Sequence, residues 1–222
     1  MTLRVLVIND DAFELATLSA ALRLHTINVV GEALNLGVAE SLFRSLQPEV
    51  LVIDIQFDGH EAITLVKKLR KLNPKLGIVI TTACPDLRLL GINVKEIPVG
   101  SQLILKKSIS NLDVIAESIN TSVEMAETKQ TAMWIDSHGS LHENAFTSVL
   151  VAMTDTQIET LRLVATGLSN AEIGRVRFVS EKSVEQIVAR IAGHFAIAPD
   201  RSRNLRVLIA GQYYKWIGAP RH

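Results

Sequence analysis

The chain has 222 residues, of which 48% are hydrophobic and 21% charged, enough apolar material for one large packed domain or two small ones and too much for a disordered chain. No apolar run reaches the roughly 18 residues of a membrane span. Met1-Thr2-Leu3-Arg4-Val5 shows no signal-peptide pattern, and a single cysteine, Cys84, excludes an internal disulfide, so a cytoplasmic location is expected. Net charge is zero, yet residues 1–150 carry 13 basic and 17 acidic side chains while residues 151–222 carry 10 and 6. That asymmetry fits a regulatory half joined to a polyanion-binding half.

Leu3–Ile8, Val50–Ile53 and Gly77–Ile80 are short Val/Ile-rich runs that suit parallel strands buried on both faces. Asn28–Glu32 and Gln102–Leu105 complete a predicted set of five. Helix-like stretches alternate with them. Phe13–Leu24 carries Phe13, Ala16, Ala20 and Leu24 near helical spacing. Gly37–Leu46 follows. Glu61–Leu72 sets Ile63, Val66, Leu69 and Leu72 on one face and Lys67, Lys68, Arg70 and Lys71 toward water. Residues 111–127 set Leu112, Ile115, Ile119 and Val123 on one side. Leu87–Gly100 lacks a clear stripe. The alternation predicts a doubly wound α/β domain over residues 1–127.

Each strand is followed by polar residues: Asn9, Asp10 and Asp11; Asp54; Thr81 and Thr82; Lys106 and Lys107. Sites in open parallel sheets assemble at the carboxyl ends of strands, so these side chains are expected in one cleft. Two carboxylates from different strands suit Mg²⁺, a threonine hydroxyl can hydrogen-bond a phosphoryl group, and a lysine can hold it as a point charge.

With these segments, residues 4–127 resemble the receiver domain of two-component response regulators. The matching stretches are Arg4–Asp11, Val50–Asp54 with Asp58-Gly59-His60-Glu61-Ala62, Ile78–Ala83, and Leu103–Lys106. The resemblance implies a flavodoxin-like fold, Asp54 as phosphoacceptor, and Thr82 and Lys106 as the phosphate switch pair. It also implies a Mg²⁺ site at Asp10, Asp11 and Asp54. Asn9 stands where the family has an acid, Leu103 where an aromatic residue is common, and the loop Ile55-Gln56-Phe57 is shortened.

Residues 128–150 show no clean period and read as a linker with at most a short helix or strand pair. His138 and His142 are four apart, but the absence of further ligands leaves them as ordinary surface residues. Trp134 is expected to dock this segment on a domain.

From Thr154 onward, capping signals recur. Thr154–Gln157 and Ser169–Glu172 are capping boxes, Gly167 suits a helix end, and Ser180 caps a helix over Glu181–His194 with Val184, Ile187, Val188 and Ile191 inward. Asp200 or Ser202 precedes a last helix through Tyr213. Two helices joined by about three residues form a DNA-reading unit or part of an ordinary four-helix domain. Tyr213-Tyr214-Lys215-Trp216-Ile217 is read as packing rather than as a dimer contact.

Residues 153–210 resemble the helix-turn-helix domain of NarL/FixJ/LuxR-type regulators, through Met153-Thr154, Leu161–Ile173, Val179–Val184 and Asp200–Ser202. The resemblance implies an all-α four-helix domain over 151–222, with Lys182, Val184, Glu185, Gln186 and Arg190 presented to DNA. Arg175, Arg177 and Arg201 are the implied phosphate contacts. Glu185 replaces a usual basic residue and Ile187 a frequent histidine. The expected protein is therefore a non-enzymatic transcription regulator that acts as a homodimer on double-stranded DNA and answers to a sensor histidine kinase. The alternative is a phosphorylation-independent regulator or adaptor controlled by a partner protein or small ligand.

Overall fold

The computed structural model describes residues 2–55, 59–106, 112–128, 130–142, 148–198 and 200–217. They form two compact units. The first comprises Met1–Ala83 and Ile92–Ala145, the second Cys84–Gly91 and Phe146–His222.

In the first unit, strands β1 (Arg4–Ile8), β2 (Asn28–Ala33), β3 (Val50–Asp54), β4 (Gly77–Thr82) and β5 (Gln102–Leu105) are parallel and alternate with helices α1 (Ala12–Leu24), α2 (Leu36–Leu46), α3 (Gly59–Leu72) and α4 (Leu112–Met125). β3 through Ile53 and all of β4 and β5 are buried, as expected of strands covered on both faces. The sheet is longer than the five strands expected. β6 (Met133–Ile135) pairs parallel to β5, β7 (Leu141–His142) pairs antiparallel to β6, and the order is β2-β1-β3-β4-β5-β6-β7. The expected linker thus contributes a short strand pair, of the kind the sequence allowed, to the edge of the sheet. Trp134 and Ile135 are buried there, and such short strands carry too few residues to show a period.

Two helix faces differ from expectation. In α1 the buried residues are Leu15, Ser19 and Leu22, while Phe13 is 79% exposed and Leu24 also faces solvent. This helix is apolar nearly all round, so spacing alone does not single out its inner face. In α3, Arg70 does not point into water. Its Nη1 donates to the carbonyls of Val99, at 3.0 Å, and Ala126, at 3.4 Å. Gly77 lets α4 approach β4, because a Cβ there would lie 2.2 Å from Ser122 Oγ.

The second unit contains α5 (Ser148–Val151), α6 (Asp155–Ala165), α7 (Asn170–Arg177), α8 (Glu181–His194) and α9 (Leu205–Ile217). Thr154, Ser169 and Ser180 cap α6, α7 and α8 through their side-chain oxygens. The helix α9 is preceded not by an Asp200 or Ser202 cap but by Asn204, whose Oδ1 accepts from Arg206 N at 2.9 Å; Asp200 instead binds Ser202 and Arg203. The aromatic end packs within the unit, as expected. Tyr214 donates to Ala165 O at 3.1 Å, and the Phe195 and Trp216 rings meet edge to face at 5.2 Å.

The segment Cys84–Gly91 is a working part of this unit. It holds a 3₁₀ turn, Leu87–Leu90, capped by Asp86, with Leu87, Leu89 and Leu90 buried. Arg88 binds Asp86, Asp155 and the carbonyls of Leu150 and Met153, at 2.7–3.1 Å. Tyr213 donates to Leu89 O at 3.0 Å. Among the described residues no helix is long and apolar enough to cross a membrane.

Candidate functional site

The first unit carries a pocket of about 330 Å³ at the carboxyl end of the parallel sheet, lined by Asn9, Asp10, Asn35, Asp54 and Glu61 among others. Parallel strands bring Asp54 from the end of β3 and Lys106 from just beyond β5 to this edge. Lys106 Nζ lies 2.9 Å from Asp54 Oδ2 and 2.5 Å from Glu14 Oε2.

The Asp54 side chain is only 2% exposed. Burial pushes its carboxyl above its ordinary pKa against the opposing pull of the Lys106 ammonium, with the Glu14 and Asp10 charges adding to the rise. Burial alone would depress Lys106, but the Asp54 charge and the bonds to Glu14 and Asp54 outweigh it, so the ammonium is held above its ordinary value. The pocket therefore keeps a fixed cation beside a costly buried carboxylate, the arrangement in which a nucleophilic oxygen and an anion-binding group sit side by side.

The hydroxyl on Asp54 is that of Thr81, which donates to Asp54 Oδ1 at 3.3 Å. Thr81 is the residue in register with Asp54, and Thr82, next along β4, is wholly buried. The resemblance implied Thr82, which the alanine after it marks; the bond from Thr81 was not read from the sequence, because it depends on pairing register.

The receiver resemblance implies a metal. Asp10 is exposed and lines the pocket with Asp54, and a pair of carboxylates is the usual protein contribution to Mg²⁺. Asp11 is differently employed: it caps α1, accepting from Glu14 N at 2.8 Å, while its own N–H donates to Asn9 Oδ1. Asp10 and Asp54 thus offer two carboxylates suited to Mg²⁺, and among the described residues no group of three His, Cys, Asp or Glu is arranged to hold a metal. Asp58, Gln56, Phe57 and Lys107 lie outside the described residues. Glu14 was missed by sequence reading. It falls near the start of a helical pattern, and only the fold brings it across to Lys106.

In the second unit, α8 exposes Lys182, Glu185, Gln186 and Arg190 on one stripe, opposite Val184, Val188 and Ile191. Val184 is 0% exposed and belongs to the core, so the contact with DNA expected of it is not available from this position. The helical period that brings 182, 186 and 190 outward turns 184 inward. Arg175 is exposed and ion-paired with Glu172, and Arg201 is exposed. Arg177 differs: its side chain is 11% exposed and bonds Glu159 Oε2 at 3.0 Å and Thr160 Oγ1 at 2.8 Å, so it braces α7 on α6. The α7–α8 connection is tight, because Phe178 adopts a left-handed backbone and Val179 N donates to Gly174 O at 2.9 Å. A Cβ on Gly174 would lie 2.7 Å from Val179 O, so this crossing requires glycine.

Residues 5–120 match the model of the response regulator receiver domain. The chain is 27% identical over 206 residues to the transcriptional regulatory protein LiaR of Bacillus subtilis, covering 90% of this chain and 94% of that one. It is 21% identical over 214 residues to the response regulator protein VraR of Staphylococcus aureus, covering 96% and 98%. Among solved structures, RcsB of Salmonella enterica serovar Typhimurium bound to promoter P1flhDC with phosphomimetic BeF3− superposes at TM-score 0.57 with 18% identity, covering 96% of this chain and 98% of that one. A structure of two RcsB dimers on two parallel DNAs gives 0.56 with 18% identity, covering 98% and 100%. The chain belongs to the response regulator receiver family, and its two-unit fold is that of the NarL/FixJ-type members.

Proposed function

We propose that the chain is a transcription regulator of the cytoplasm in which Asp54 accepts a phosphoryl group and α8 reads double-stranded DNA. The observation that carries this reading is the Asp54–Lys106 contact at 2.9 Å, with Asp54 lining a pocket together with Asp10, within a family of phosphoacceptor domains. A carboxylate oxygen of Asp54 forms the new bond to phosphorus, and the donor's bond to phosphorus breaks, its electron pair leaving with the donor. A threonine hydroxyl at the end of β4, Thr82 or the Thr81 that bonds Asp54, and the Lys106 ammonium would hold the new phosphoryl oxygens. Asp10 and Asp54 would hold Mg²⁺, whose chemistry here is to neutralise phosphoryl oxygens.

On the second unit, Gln186 can pair bidentately with adenine, while Lys182, Arg190, Arg175 and Arg201 supply base or phosphate contacts. Glu185 on the same stripe suits a cytosine amino group. One reading helix covers few bases, so the active form is a homodimer on two half-sites. The donor is a sensor histidine kinase or a small acyl phosphate.

The test combines Mg²⁺, an acyl phosphate and intact-mass measurement with DNA retardation. Wild type should gain one phosphoryl group and bind duplex more tightly, and Asp54→Ala should do neither. A second reading, control without phosphate, is favoured by the neutral Asn9 in the pocket. Unmodified wild type that binds DNA as well as Asp54→Ala does would establish it.

A further inference from the structure

Glu14 sits in the first turn of α1, and its carboxylate lies 2.5 Å from Lys106 Nζ, the same ammonium that contacts Asp54. The same Oε2 accepts from Asn9 Nδ2 at 3.2 Å. An aspartate at position 9 has no N–H to offer and would face Glu14 with like charge. The neutral residue at 9 and the acid at 14 are therefore one device. Lys106 has three donors, and the described contacts engage it with Asp54 Oδ2 and Glu14 Oε2 together.

We propose that Glu14 is an internal counter-anion that occupies Lys106 in the resting protein and competes with the incoming phosphoryl group for it. The proposal rests on Asp54 being the phosphoacceptor. A phosphoryl group on Asp54 brings about −2 of charge to a place beside Glu14. Lys106 cannot serve both anions without holding them against each other, so Glu14 must withdraw as the phosphoryl group arrives. The neutral amide of Glu14→Gln keeps the shape and can still accept from Asn9, but gives up the charge. Glu14 is thereby a positioning residue that sets how readily the pocket accepts an anion.

Beryllofluoride with saturating Mg²⁺, titrated into the full chain and followed by fluorine NMR, reads anion uptake without any covalent step. Glu14→Gln is expected to bind it about tenfold more tightly than wild type, a difference of about 1.4 kcal/mol. In a Lys106→Met background the same substitution should change affinity less than about twofold, because the lysine being contested is gone. A merely structural role for Glu14 would weaken binding and would do so with or without Lys106. Equal or weaker binding by Glu14→Gln, with wild type still binding, overturns the proposal and leaves the phosphoacceptor reading standing. Absence of binding in wild type and Glu14→Gln alike overturns both.

Discussion

Lys106 Nζ and Asp54 Oδ2 stand 2.9 Å apart although 52 residues separate them in the chain. Parallel pairing of β3, β4 and β5 makes the contact, since it brings the carboxyl ends of all three strands to one edge. The pair joins a buried acid to a half-buried base, and the consequences of breaking it follow from which charge is left behind.

Lys106→Met should destabilise the first unit by about 2 kcal/mol near pH 7, less than a fully buried pair because Lys106 is partly exposed. The loss leaves Asp54 raised further above its unfolded pKa of about 4. A carboxyl with a raised folded pKa disfavours folding above that pKa and is neutral below the unfolded one. The deficit should therefore shrink as pH falls toward about 4. Urea melts of both proteins at a series of pH values check it, and a deficit that grows on acidification would refute the sign.

Gly174→Ala sets two effects against each other. Alanine in a helix interior gains about 1 kcal/mol over glycine. Here its Cβ would lie 2.7 Å from a backbone oxygen, Val179 O, which cannot swing aside. Overpacking of this kind costs about 1–3 kcal/mol, so a net loss of up to about 2 kcal/mol is expected in the second unit. Thermal melting followed by the aromatic signals of Trp216 and Tyr213 measures it.

Along α8, position should decide the kind of defect. Lys182→Ala should weaken DNA binding across sequences and lower the salt slope by about 1. Gln186→Ala should cost about 1–3 kcal/mol at one base position only. Val184→Ala removes buried volume, so it should lower the melting temperature and leave the affinity of the folded fraction unchanged. Retardation assays across a salt series, with melting curves, separate the three.

Cys84 is buried, with its Sγ 3.0 Å from Asp86 O, and burial pushes the thiol pKa up to about 12. The thiolate is the reactive form, so native protein at pH 8 should alkylate at least about a hundredfold more slowly than unfolded chain, whose cysteine titrates near 8.5. Iodoacetamide labelling with and without urea, read by mass, is the measurement. Fast labelling of native protein would mean that the segment around Cys84 opens readily.

The elements that sequence reading located best are those whose signals are local. The caps at Thr154, Ser169 and Ser180 stand where side-chain oxygens precede apolar periods, and the strands β3 and β4 follow Val/Ile runs. What escaped depends on partners distant in sequence. Thr81 bonds Asp54 because strand register sets the two side by side, and Glu14 reaches Lys106 because α1 follows β1 across the edge. The inner face of α1 was hidden because apolar residues surround it. The Leu87–Leu90 turn was illegible because four residues show no helical period, and its partners lie beyond residue 146.

That last feature bears on any attempt to express the C-terminal half by itself. A gene fragment opening at residue 146 would omit Leu87, Leu89 and Leu90 and strip Tyr213 of its acceptor at Leu89. The product would carry an unfilled apolar recess, prone to aggregation or to capture of foreign hydrophobic segments. Restoring the missing octapeptide, Cys84–Gly91, by grafting it through a flexible joint ahead of residue 146, is what would make the excised piece whole.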